Sequence, residues 1–173
     1  MSALRSQLTC LLVVMVAAVS SGQFVTASDE LGTFTVTVGV ELSCPSCASG
    51  LERRLGRLEH VATVEIQVAE EQVVLGATAG TKIGLREVRD VIRNAGFVPS
   101  SLHVTAGGRV VRLDGGIGIT LSEDAVVMVT AVDAERSALL SQAVGRMVAV
   151  RGTVPIEAGA EDILQLSEVE IQK

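Results

Sequence analysis

The chain has no tryptophan and no tyrosine, and its three phenylalanines bring aromatic residues to only 2%. That scarcity removes the flat side chains on which single-stranded nucleic acids stack. A formal net charge of −6 argues the same way, because binding a phosphate backbone relies on an excess of Lys and Arg. No nucleic acid is therefore expected as a partner. Histidine is scarce too: His60 and His103 each stand alone at a turn or strand start and read as surface residues. Glu70, Glu71, Glu123 and Asp124 fall in turns, where solubility explains them. No Ser/His/Asp set and no paired acids support hydrolysis, so an enzyme is not expected.

Cysteine is limited to Cys10, Cys44 and Cys47, and the first of these sits in a stretch unlike the rest. Arg5 is the only side-chain charge before Asp29, and an unbroken apolar run extends from Leu11 to Val19. This is how a secretory signal peptide is written. Small residues at Val25-Thr26-Ala27 place cleavage near Ala27, with Ser20 to Gly22 as the second option. The apolar run is shorter than the roughly 20 residues that a spanning helix needs, so no stable membrane insertion is expected after cleavage. Cys10 precedes the run and is badly placed for lipidation. Removal of Arg5 leaves 13 Lys and Arg against 20 Asp and Glu, a net charge of −7. The mature protein is expected in the periplasm or outside the cell, with Cys44 and Cys47 as its only thiols. One close pair is no disulfide framework; it is a metal site, a redox couple or a local staple.

Apolar residues at Phe34, Val36, Val38 and Val40 alternate with Thr35, Thr37 and Gly39, the period of a half-buried strand. After a loop with Pro45, Ala48, Leu51, Leu55 and Leu58 recur at helical spacing, leaving Glu52, Arg53, Arg54 and Arg57 to solvent. Residues 61–68 and 72–78 read as a hairpin around Ala69-Glu70-Glu71. Ile83, Val88, Val91, Ile92 and Ala95 mark a second amphipathic helix, stopped by Asn94 and Gly96, and residues 102–105 supply a last edge strand. The order βαββαβ is the split βαβ arrangement, two helices on one face of an antiparallel sheet.

Ala106-Gly107-Gly108 reads as a hinge. Beyond it, residues 109–113, 117–121 and 125–132 read as short strands, 134–144 as a helix, and 147–154 and 163–171 as two further strands. Five strands with a helix between the third and fourth suit a small OB-like barrel. The expected fold class is thus α+β: residues 1–27 signal peptide, 28–32 a short leader, 33–105 a ferredoxin-like domain, 106–108 the hinge, and 109–173 a small all-β domain. Met128 and Met147 lie within apolar runs and are expected in the core. Arg109, Arg112, Arg136, Arg146 and Arg151 read as solvated surface charge.

Chemistry concentrates in Cys44-Pro45-Ser46-Cys47, where a strand gives way to a helix. Thiolates ligate metals, and the positive end of a helix dipole favours the thiolate. Two soft sulfurs on a loop suit soft ions such as Cu(I) or Hg(II). Neither His nor Met lies in the loop, so a closed four-ligand zinc site is not built locally. Such a low-coordinate site leaves room for an incoming thiolate. The same four residues also suit thiol–disulfide exchange, since Cys-Pro-x-Cys at a helix start occurs in thioredoxin-like proteins.

Val40-Glu41-Leu42-Ser43-Cys44-Pro45-Ser46-Cys47, in this element order, resembles the heavy-metal-associated domain family, which carries Gly-Met-Thr-Cys-x-x-Cys at the same loop. Leu58-Glu59-His60-Val61 is similar to the family's Leu-Pro-Gly-Val, and Asn94-Ala95-Gly96-Phe97 to its Ala-Gly-aromatic turn. The likeness covers residues 32 to 105 and implies one bound soft metal ion, Cu(I) or Hg(II), on Cys44 and Cys47. Leu42, Ser43 and Phe97 are the expected neighbours of the site, with Leu42 packing where the family has methionine. Glu41 replaces a glycine, and Phe97 stands where cytosolic copper chaperones of the family carry lysine. An export signal before a single such domain is similar to the family's periplasmic mercury-binding members, which pass Hg(II) to an inner-membrane transporter. The resemblance therefore implies capture of the ion and its transfer to a membrane transporter or another thiolate acceptor. Thiol–disulfide exchange and a partner-binding role for the all-β domain are the alternatives.

Overall fold

A computed structural model describes residues 32–42, 45–157 and 162–172, with residues 45–47 described by their backbone alone. The expected signal peptide and all of the leader except Gly32 lie outside the described residues. Among the described residues no helix is long and apolar enough to cross a membrane.

The N-terminal half runs β1 (Thr33–Val40), α1 (Pro45–Leu55), β2 (Val61–Gln67), β3 (Gln72–Ala77), α2 (Leu85–Asn94) and β4 (Pro99–Leu113). Its sheet order is β2-β3-β1-β4, antiparallel at every pairing. The alternation in β1 does what its period requires: Phe34, Val36, Val38 and Val40 are buried beneath the helices. Ala48, Leu51 and Leu55 bury the inner stripe of α1, and Leu85, Val88 and Ile92 that of α2. Glu71, at the tip of the β2–β3 hairpin, and His60, before β2, hold positive φ, as tight reversals demand.

The expected hinge at Ala106-Gly107-Gly108 is a correction: these residues lie inside one continuous 15-residue strand, β4. Its first part pairs with β1 from Thr33↔Gly107 to Val40↔Pro99. Its last part pairs with β5 (Gly116–Thr120), from Arg109↔Thr120 to Leu113↔Gly116. The two glycines serve close approach rather than flexibility. A Cβ on Gly108 would sit 2.3 Å from the Thr120 carbonyl oxygen, and one on Gly107 would sit 2.7 Å from the Thr33 hydroxyl. The other flank of β4 is covered as well, by β7 (Met147–Thr153), which pairs with His103 to Arg109. The stretch 102–105 is therefore no edge.

Strands β4, β5, β6 (Val126–Ala131), β8 (Leu164–Ile171) and β7 close into a five-strand barrel, with β6 and β8 parallel and the other pairings antiparallel. Helix α3 (Ala134–Gln142) joins β6 to β7, capped by Asp133, whose carboxylate accepts the Arg136 backbone N–H, and plugged inward by Leu140. Ile119, Val127, Val129, Val148, Val150, Leu164 and Leu166 fill the barrel and belong to the same apolar cluster as Val36 and Leu51. Met128 and Met147, expected in the core, are only half-buried, because their neighbours Val127, Val129 and Val148 take the inward positions. Arg109, Arg112, Arg146 and Arg151 are exposed and Arg136 half-buried, with contacts to carbonyls or acids nearby for Arg109, Arg136 and Arg151.

Candidate metal centre

Strand β1 delivers the chain to one end of the sheet. Val40 pairs with Pro99 of β4 and donates its backbone N–H to the Glu71 carbonyl, 2.7 Å away. The β1–α1 loop, the β2–β3 turn and the α2–β4 loop thus share that end. Glu41 is exposed there, and Leu42 turns inward, 4% exposed within the core. Leu42 therefore packs into the core at the start of the loop.

Helix α1 opens at Pro45, and proline suits a first helical position because its missing N–H has no intrahelical partner to lose. The backbone of Cys47 lies in the first turn. That turn contains no acid, while Arg53 and Arg54 occupy the last, so the positive end of the dipole faces the loop unneutralised. An anionic sulfur is favoured there. Ser43 and Cys44, and the side chain of Cys47, lie outside the described residues. What the structure supplies is the frame, with Leu42 buried before the motif and Ala48 buried directly after it.

Phe97 is half-buried against the core, its backbone N–H bonded to the Ile92 carbonyl at 3.1 Å, in a turn made possible by the positive φ of Gly96. It shares the end of the sheet with Leu42. The histidines do not: His60 is at the far end of α1, its side chain 3.6 Å from Glu59, and His103 is exposed on β4. Among the described residues no group of three or more His, Cys, Asp and Glu is arranged to hold a metal ion.

One residue in the middle of α2 escaped the sequence reading. Arg89 of α2 is 2% exposed, and its guanidinium bonds the Pro155 carbonyl at 3.0 Å and the Asp162 carboxylate at 2.7 Å. Its spacing carried the signal: position 89 lies four residues after Leu85 and three before Ile92, on the buried face of α2.

The frame is a strand-to-helix connection at one end of the sheet. Residues 37–97 match the family model of the heavy-metal-associated domain, and the barrel lies beyond the match. Such domains bind metal ions and carry them. One solved structure, the apo form of the heavy-metal-associated domain of a copper chaperone for superoxide dismutase, is similar at 23% identity with a TM-score of 0.32. The likeness covers 39% of this chain and 66% of that one, just under two-thirds of its length. No curated protein matches the chain.

Proposed function

We propose that the mature protein is exported, binds one soft metal ion, Cu(I) or Hg(II), through Cys44 and Cys47, and hands it to a membrane transporter or another thiolate acceptor. The observation that carries this reading is the opening of α1 at Pro45, its positive end free of acids, between the two cysteines of a segment matched to a heavy-metal-associated domain. Two sulfurs leave the ion low-coordinate. An acceptor thiolate adds to the metal, one protein sulfur leaves, and a second exchange completes transfer without change of oxidation state. Leu42 holds the loop from below, and Phe97 stands near it as a partial screen from water. Export is supported by Arg5 and the apolar run from Leu11 to Val19. Closure by five strands, with α3 between the third and fourth, supports an OB-like reading of the barrel.

Anaerobic titration of the reduced mature protein with each ion tests the carrier role. One equivalent is expected to bind, and Cys44→Ser with Cys47→Ser to abolish it; undiminished binding by the double variant removes these sulfurs from the mechanism. Thiol–disulfide exchange keeps one specific support, the proline between the cysteines at the head of α1. A reduction potential close to that of strong periplasmic oxidants, with catalytic turnover, decides for it.

A further inference from the structure

The barrel lies outside the family match, yet one part of it reaches the end of the sheet where the metal loop sits. The Val154 backbone N–H donates to the Leu102 carbonyl at 3.0 Å, and Leu102 pairs with Val38, two residues before β1 ends. The segment that follows, Pro155 to Glu157, therefore emerges beside the α2–β4 loop. It is pinned there. Arg89 holds Pro155 and Asp162, and Arg93 donates to the Ile156 carbonyl. Burying a guanidinium is costly unless it is fully bonded, and every partner Arg89 shows belongs to the chain flanking this segment. The pairing fixes a position rather than merely filling space.

The surface thus assembled has a definite character. Glu41, Glu70, Glu71 and Glu157 are exposed at this end, each from a different connection except the adjacent pair Glu70 and Glu71. Val98 is 78% exposed and Val68 43%, both apolar and uncovered. The basic side chain among the described residues of this end, Arg93, is engaged with Ile156. The basic residues of α1, Arg53 and Arg54, sit at its opposite end. Exposed acids with uncovered valines among them fit a partner whose own surface is basic.

We propose that the Pro155–Glu157 segment of the barrel is part of the face on which the metal acceptor docks, and that the acceptor is a protein meeting it with a Lys- or Arg-rich surface. This rests on the carrier reading above. The barrel then helps choose the acceptor, and Arg89 is a positioning residue for that choice.

The probes are two short synthetic peptides, each with one Cys-x-x-Cys, flanked by lysines in one and by glutamates in the other. The mature protein is loaded with Hg(II), and transfer to each is followed by stopped flow. At low salt the lysine-flanked peptide is expected to accept metal about tenfold faster, and the advantage to shrink as salt rises. Glu157→Lys and Glu71→Lys are each expected to cut that advantage about threefold, whereas Glu123→Lys, the same charge change in the distant β5–β6 turn, leaves it unchanged. Arg89→Met, which releases the segment, is expected to erase the effect of Glu157→Lys, and Glu157→Lys alone decides if that variant does not fold. Equal rates for the two peptides overturn the proposal. So does a Glu157→Lys effect no larger than that of Glu123→Lys. A protein that takes up no metal overturns the carrier reading itself, and this proposal with it, at the loading step.

Discussion

The two halves of the molecule solve opposite problems with one strand between them. The N-terminal half gathers three connections at one end of its sheet, the β1–α1 loop, the β2–β3 turn and the α2–β4 loop. The barrel closes its five strands on themselves and fills the interior with Ile119, Val150, Leu164 and Leu166. Strand β4 belongs to both: Val104 and Ala106 lie in its first part and Val110 in its last, and all three are buried in one apolar cluster. A carrier loop has to be accessible without being loose. Sharing β4 with a closed barrel gives the N-terminal sheet a stiff backing.

Removal of the barrel should have the largest effect on this comparison. A chain ending at Thr105 loses the β7 cover on β4 and every partner of Arg89, so it is expected to show no cooperative unfolding in far-UV circular dichroism. A sharp, independent transition would mean that the halves are separate domains after all. Next come Leu51→Ala on the α1 stripe and Leu166→Ala in the barrel, each expected to cost about 3 kcal/mol in urea unfolding. With one core, both lower the midpoint of a single transition; two resolved transitions, each answering to one substitution, would divide the molecule. Gly108→Ala presses a methyl on the Thr120 carbonyl at the seam and is expected to cost about 2 kcal/mol by the same measurement. Asp133→Ala, which removes the cap of α3, should cost about 1 kcal/mol and leave metal stoichiometry untouched. The smallest effect is a gain: His60→Gly relieves a positive φ of 65° and is expected to add about 0.5 kcal/mol.

What the residues disclose on their own depends on distance along the chain. The period of β1 and the stripes of α1 and α2 were readable because each is set by neighbours within a few positions, and the strands of the barrel were readable for the same reason. His60 likewise occupies the place where the resembling family carries glycine, and it takes a glycine-like φ. Gly107 and Gly108 misled because the same letters spell flexibility and close approach, and only the strand lying opposite tells them apart. For Met128 and Met147 the correction was already within reach, since strict alternation with Val127, Val129 and Val148 sends both outward. The pairing of β4 with β7, and the reach of Arg89 to Pro155 across 66 positions, are long-range facts with no local mark. At the candidate site the motif was legible at once. The contribution of the barrel segment to the surroundings was not.

Among the described strands, the cover that β7 places over β4 leaves β2 as the remaining open flank of the whole β system. A free-standing split βαβ sheet has two such flanks and can add copies at both, growing without limit. With a single flank, stacking between molecules terminates at a pair. By covering β4, strand β7 also keeps the protein from growing into a fibre.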